Sequence, residues 1–230
     1  MIAPYRRLLW PGLMTAIMLL GLVGLGTWQV QRLVWKQALL DQIARAEAAP
    51  PEPFTGVPKP FAKLSVTGIP RDDLPAYFGA EVRTLPTGAR MGARLIVPLE
   101  RPGEPPLLVD RGWVPLPGHV PSVPRGQPVT IIGFAHQPET SGLFSATDDV
   151  LGRRFYALDP AKIGLALGLP RVEGFILVEL NETGAPDGPI PARHLPVPPN
   201  NHAAYALIWF GLAVVLAGIF IIWARKGTSS

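Results

Sequence analysis

The chain has 230 residues, an apolar fraction of 48% and a formal net charge of +4. It contains no cysteine, which excludes a disulfide framework, a thiolate metal site and a cysteine nucleophile. Its basic residues are dispersed, without a basic run or interleaved aromatic side chains, so the positive charge does not indicate nucleic-acid binding. We expect no nucleic acid among its partners.

Two long apolar runs lie at opposite ends of the chain. Residues 8–30 form the first transmembrane helix and residues 202–224 the second, because each is long enough to cross a hydrocarbon core of roughly 30 Å. About 170 residues lie between them, enough for one compact domain. The sequence predicts a membrane-anchored protein.

The charges outside the runs predict the orientation. Residues 1–7 carry two arginines, and residues 225–230 carry Arg225 and Lys226. Positive charges stay on the cytoplasmic or matrix side, so both termini are expected there. Residues 31–201 are then an exported domain, with the lipid membrane as one partner.

Two alternatives to this topology stay open. Ala44, Arg45 and Ala46 have the spacing of a signal-peptide cleavage site, but the preceding apolar run is too long for a signal peptide. A mitochondrial inner membrane fits the same topology. Because no Arg- and Ser-rich presequence precedes residue 8, we expect a multi-pass bacterial inner-membrane protein with a periplasmic domain.

The exported domain is expected to be mainly antiparallel β, a sandwich or barrel with short helices. Short β-branched segments alternate with proline and glycine, as is typical of such sheets. Two proline-rich segments, residues 115–127 and 181–199, are expected to be loops ordered by the stiffness of proline. The predicted strands are residues 62–67, 91–99, 107–114, 129–134, 155–158 and 174–180.

Two helical segments are predicted in this domain. The apolar period of residues 32–48 continues the first run as a helix that stops near the following prolines. Asp159 as N-cap and Pro160 as first residue predict a short helix that ends at Gly168 or Pro170.

No catalytic constellation is evident, and we expect no enzyme. The serines lie in turn-rich segments without a nucleophile elbow, and no metalloprotease pair of histidines is present. Three of the four histidines lie beside proline in predicted loops, where a solvated imidazole is the usual explanation. These residues are Ser122, Ser141, Ser145, His119, His136 and His194.

His202 differs because it lies at the exported edge of the second run. Helical spacing places it on one face with Tyr205, Ala206 and Trp209. A neutral imidazole there can ligate a haem iron while the rings pack on the macrocycle. On spacing alone, an aromatic belt at headgroup depth is the favoured alternative.

A second cluster occupies the exported end of the first run. Trp28, Arg32 and Trp35 form one helical stripe, with Gln29 beside it. Arg32 can pair with a haem propionate or, more commonly, with a lipid phosphate. Two antiparallel helices would bring this cluster near His202.

The third cluster lies in a predicted strand, residues 107–115. Asp110 and Arg111 point to opposite faces of a regular strand, so they are not expected to pair with each other. Gly112 predicts a bulge or a close backbone approach, and Trp113 a packing anchor. A structural role is favoured for this cluster.

The three clusters resemble motifs of the Surfeit locus protein one family of cytochrome c oxidase assembly factors. Residues 25–36 match Leu-Gly-x-Trp-Gln-x-x-Arg-x-x-Trp-Lys, and residues 109–115 match Val-x-Arg-Gly-Trp-Val-Pro. Residues 201–210 match Asn-His-x-x-Tyr-Ala-x-x-Trp-Phe, with departures at Ala203 and Ile208. The order and spacing of the motifs relative to both runs also match.

The resemblance implies a chaperone that assists the delivery or insertion of haem a into subunit I of a haem-copper oxidase. Subunit I and the haem a synthase are the implied partners. The implied haem residues are His202 as iron ligand, with Trp28, Arg32, Tyr205 and Trp209 around the macrocycle; Arg111 and Trp113 would shape the domain or a partner surface.

Two other classes of protein remain alternatives. A scaffold without haem would bind subunit I or the haem a synthase through small residues of the second run, namely Gly211, Ala213, Ala217 and Gly218. An exported hydrolase would need a clustered acid, base and nucleophile, for which the sequence supplies no motif.

Overall fold

The structure, a computed structural model, describes residues 6–86, 88–116, 126–140, 142, 145–181 and 188–228. It divides into one compact unit of Met1–Ala44 with Val197–Ser230 and a second of Arg45–Pro196. The helices are α1 (Arg6–Ala48), α2 (Pro160–Ala166) and α3 (His202–Thr228). The strands are β1 (Glu52–Pro53), β2 (Lys63–Pro70), β3 (Ala76–Leu85), β4 (Gly88–Arg101), β5 (Glu104–Pro115), β6 (Val129–His136), β7 (Arg154–Phe155) and β8 (Ile176–Glu179).

Helices α1 and α3 are each long and apolar enough to cross a membrane. The predicted helical continuation of residues 32–48 is confirmed, and α1 ends two residues before Pro50. A proline at that position has no backbone N–H to continue the helix.

The first unit is held together by packing of α1 against α3. A Cβ atom on Gly26 would lie 2.7 Å from Cε1 of Phe210, and one on Gly12 would lie 3.5 Å from Cζ of Phe220. Because the contacts descend α1 while they ascend α3, the helices are antiparallel. The less exposed positions of α1 repeat every three or four residues, as in a coiled-coil seam: Gly12, Thr15, Leu19, Leu22, Gly26 and Gln29.

The strands of the second unit form one sheet in the order β1-β2-β6-β8-β5-β4-β3-β7, with a further pairing of β2 with β4. That pairing, Ile69 with Glu100 and Pro70 with Leu99, closes β2, β6, β8, β5 and β4 into a barrel. The barrel was one of the two predicted architectures.

The expectation of a mainly antiparallel sheet is confirmed in part: five strand pairings among the described residues are antiparallel, but the sheet as a whole is mixed. The pairs β1–β2, β3–β7 and β5–β8 are parallel. A parallel pair requires a long crossover, and β5 reaches β8 only after β6, β7 and α2. Strand lengths and turns did not reveal this crossover.

Two apolar cores lie on opposite faces of the sheet. In β5, Leu107 and Val109 belong to one core and Leu108 to the other, since successive side chains of a strand alternate. The first core takes residues from all five barrel strands and fills the barrel interior. The second covers the outer face, where Ile163 and Leu167 of the α2 region pack on β4, β5 and β8.

The local predictions in this unit had different outcomes. The α2 helix is confirmed, with Asp159 accepting hydrogen bonds from the N–H groups of Ala161 and Lys162. Strand β3 was not among the predicted strands, because its second half is largely exposed and lacks an alternating apolar pattern. In the predicted proline-rich loops, residues 117–125 and 182–187 lie outside the described residues.

Candidate functional site

The N-terminal end of α3 contains a polar contact that joins the two long helices. His202 Nδ1 lies 2.7 Å from Oε1 of Gln29 on α1. The Gln29 side chain is buried, with 9% of its surface exposed, and Ala206, one turn after His202, is buried too. The contact therefore lies in the seam between α1 and α3.

The hydrogen bond fixes the chemistry of the imidazole. A carboxamide oxygen is an acceptor, so Nδ1 carries the proton in this pair. In neutral imidazole, Nε2 then keeps its lone pair, which is the form that binds a metal. Nε2 of His202 has no hydrogen-bond partner among the described residues.

The other predicted haem residues lie on the flanks of this seam. Trp28 and Tyr205 are about half exposed, and Trp209 is partly buried. The guanidinium carbon of Arg32 lies 4.6 Å from the centroid of the Trp35 ring, which is a cation–π arrangement on an exposed surface. Sequence reasoning grouped Gln29 with this stripe but gave it no role, because only the packing shows that it faces His202.

A second polar atom near the site stands out. Oδ1 of Asn200, two residues before His202, is buried and has no hydrogen-bond partner among the described residues. Buried polar atoms of folded proteins normally have one. The N-terminal end of α3 thus holds an imidazole lone pair and, two residues before it in the chain, a buried acceptor without a partner among the described residues.

In the second unit, the third sequence cluster forms a buried polar anchor. Asp110 is fully buried and lies 2.6 Å from Nε of Arg94 on β4. Its Oδ1 accepts a hydrogen bond of 3.0 Å from the N–H of Gly112. Arg111 is the unpaired residue of the bulge, since Leu95 faces Gly112 and Ile96 faces Asp110. The predicted bulge is confirmed.

Gly112 is required by this geometry. Its φ is +109°, and a Cβ atom there would lie 2.2 Å from the carbonyl oxygen of Ile190. The close backbone approach also exists as two hydrogen bonds between Trp113 and Ile190. Trp113 is 1% exposed, and its indole N–H donates to the carbonyl of Glu81 at 3.1 Å.

Arg111 pairs with a residue other than Asp110, as expected. Its Nε lies 2.5 Å from Oε2 of Glu179 on β8. Burial raises the pKa of Glu179 above its ordinary value, although the Arg111 guanidinium opposes the shift. Burial raises the pKa of Asp110 in the same way, against the attraction of Arg94.

The raised pKa of Glu179 predicts a pH dependence of stability. Between the unfolded pKa and the higher folded pKa, the native state binds more protons, so the free energy of unfolding falls as pH rises through that window. We expect Glu179→Gln to remove this contribution, so that above about pH 4.5 the melting temperature of the full chain in detergent micelles falls less, or rises more, with pH than that of the parent chain. Glu104→Gln, at an exposed position, is the control; equal slopes in both variants and the parent chain would contradict the expectation.

The remaining histidines and serines form no comparable cluster. His194 is largely exposed, 3.6 Å from Glu47, and His136 lies 3.5 Å from Glu139. Ser145 accepts a turn hydrogen bond, whereas His119, Ser122 and Ser141 lie outside the described residues. Within the described part of the chain, no three His, Asp or Glu side chains are grouped as metal ligands.

These features define a class of protein: two long apolar helices, packed together with a histidine–glutamine pair in their seam, whose intervening chain folds as a mixed β barrel. A comparison with protein families matches residues 16–214 to the SURF1 family. The chain belongs to the SURF1 family, as the three motifs predicted.

Relatives from bacteria and vertebrates resemble it over most of their length. The SURF1-like protein of Rickettsia conorii is 26% identical over 213 residues, which cover 89% of this chain and 87% of the relative. Surfeit locus protein 1 of Takifugu rubripes is 26% identical over 224 residues, covering 88% and 91%. Surfeit locus protein 1 of Gallus gallus is 28% identical over 224 residues, covering 88% and 70%.

Proposed function

We propose that this chain is a bacterial inner-membrane assembly factor that assists delivery of haem a to subunit I of a haem-copper oxidase. Membership of the SURF1 family supports the assembly role. The two long apolar helices support a membrane location, and relatives in Rickettsia support a bacterial source. The basic residues at both termini support a periplasmic β domain.

The observation that carries the haem proposal is the His202–Gln29 pair. Histidines that ligate metals usually donate the other ring N–H to an acceptor, which sets the tautomer and the ring orientation. The 2.7 Å contact has this arrangement, with Nε2 left as the electron-pair donor. The residues present therefore fit a haem group that is held through one histidine.

The flanking residues supply the rest of the site. Trp28 and Tyr205 present exposed ring surface for a macrocycle, and Trp209 adds a partly buried ring. The exposed guanidinium of Arg32 is suited to a propionate. Iron held by His202 would be Lewis-acidic and redox-active, and a single protein ligand suits a cargo that must be released.

The second unit has a different part in the proposal. Trp113 contacts Glu81 and Arg111 contacts Glu179 within the second unit, so we assign both residues to the shape of the domain. Subunit I and the haem a synthase are the proposed partners. No catalytic role is proposed.

The test is to purify the full chain from cells that also make haem a and to record visible spectra at matched protein concentration. We expect haem a in the parent chain and its loss in His202→Ala. His194→Ala is the control, because it removes an exposed imidazole and should leave the spectrum unchanged. Equal haem in the parent chain and His202→Ala would reject His202 as the ligand.

A scaffold without cofactor is the second candidate, and one observation favours it. A Cβ atom on Gly211 or Gly218 would contact nothing within 4 Å, so α3 keeps an open surface of small residues. Ala213 is buried and is not part of that surface. Absence of haem from the parent chain, together with loss of subunit I co-purification in Gly211→Leu, would favour the scaffold.

A further inference from the structure

We infer that Gln29 is the positioning residue for His202: its carboxamide oxygen holds the imidazole with the proton on Nδ1 and the lone pair on Nε2. The inference rests on the proposed haem function and deepens it. It assigns a role to a residue that touches neither iron nor macrocycle in the proposal.

The cost of a buried carboxamide supports a specific role. A glutamine inside an apolar helix is expensive unless its polar atoms are paired, and here the side chain is 9% exposed. A histidine of an interfacial belt would be satisfied by water and headgroups and would need no buried acceptor from a second helix.

The backbone is arranged to permit the contact. Gly26 lies one turn before Gln29, and the Phe210 ring occupies the place of its missing side chain, with 2.7 Å to the position of a Cβ atom. A larger residue at Gly26 would separate α1 from α3 and lengthen the 2.7 Å hydrogen bond. The same face of α1 therefore supplies both the close approach and the acceptor.

The first experiment needs no haem. Histidine labelled with ¹⁵N in the full chain, in detergent micelles, reports which ring nitrogen is protonated, and His202→Ala assigns the signal. We expect the Nδ1–H tautomer for His202 in the parent chain and a mixture of tautomers in Gln29→Leu. Gln31→Leu makes the same chemical change at an exposed position and should leave the signal unchanged.

The second experiment titrates ferric haem b, as an available probe, into the same proteins. Loss of the hydrogen bond from the non-ligating ring nitrogen of a metal-bound histidine typically lowers metal affinity roughly 10–100-fold. We therefore expect roughly that loss of haem affinity in Gln29→Leu. Gln29→Glu should keep binding and lower the reduction potential, because an anionic acceptor makes the imidazole a stronger electron donor. A purely structural glutamine would not shift the potential in this direction.

The outcomes separate the two proposals. An Nε2–H tautomer in the parent chain, or haem affinity and potential unchanged in both Gln29 variants, would overturn the positioning role. The Nδ1–H tautomer lost in Gln29→Leu, in a parent chain that binds no haem, would keep the positioning role and reject the haem function.

Discussion

Asp110→Ala is expected to lower the free energy of unfolding of the barrel by about 1–3 kcal/mol, the usual cost of leaving a buried N–H group, here that of Gly112, without its acceptor. The substitution leaves the Arg94 guanidinium without its carboxylate and removes the acceptor for the N–H of Gly112. The bulge that positions Arg111 and Trp113 loses its anchor as well. Chemical unfolding of the full chain in micelles, followed by far-UV circular dichroism, measures the change.

A double substitution distinguishes the ion pair from the rest of the anchor. Arg94→Met alone leaves Asp110 buried and unpaired, so it should be the more destabilising single change, by about 3–5 kcal/mol. The combination with Asp110→Ala removes both charges, and its loss should be smaller than the sum of the two single losses. A remainder of about 1–3 kcal/mol is expected from the unsatisfied Gly112 N–H. Strict additivity would contradict the pairing.

Gly26→Leu is expected to reduce haem a co-purification strongly. Even the first atom of the new side chain would lie 2.7 Å from the Phe210 ring, so α1 and α3 must move apart. Separation breaks the 2.7 Å contact between Gln29 and His202. Visible spectra of the purified chain, normalised to protein, should show at least a roughly tenfold loss of haem. This is the loss expected when the hydrogen bond between His202 and Gln29 is removed.

Gly24→Leu is the matched control. It makes the same change on the same helix, but a Cβ atom at Gly24 would contact nothing within 4 Å. We expect parental haem content and melting temperature from this variant. Haem lost equally from both variants would show that bulk on α1, rather than contact with α3, is responsible.

The sequence predicted features that depend on neighbours along the chain. The two apolar runs, the helix that stops before Pro50 and the Asp159 cap of α2 follow from local patterns, since helix periodicity and capping act within a few residues. The bulge at Gly112 was also predicted, because a glycine inside a strand often marks a bulge. Its φ of +109° in the structure is one that glycine tolerates.

The three motifs also indicated the family, because their order and spacing along the chain match those of the Surfeit locus protein one family. They also indicated His202 as the haem candidate. None of these inferences required knowledge of which residues meet in space.

Tertiary structure decided the rest. Strand β3 was not predicted because its pairing with β4 stabilises it without an alternating apolar pattern. The parallel β5–β8 pair was not predicted because it depends on a crossover that no local sequence signal encodes. Gln29 looked like one polar residue beside a tryptophan stripe, and Asp110 like one charge in a strand. Their partners, His202 and Arg94, are distant in sequence or lie on another strand, so only packing could reveal the contacts that define the candidate site and the barrel anchor.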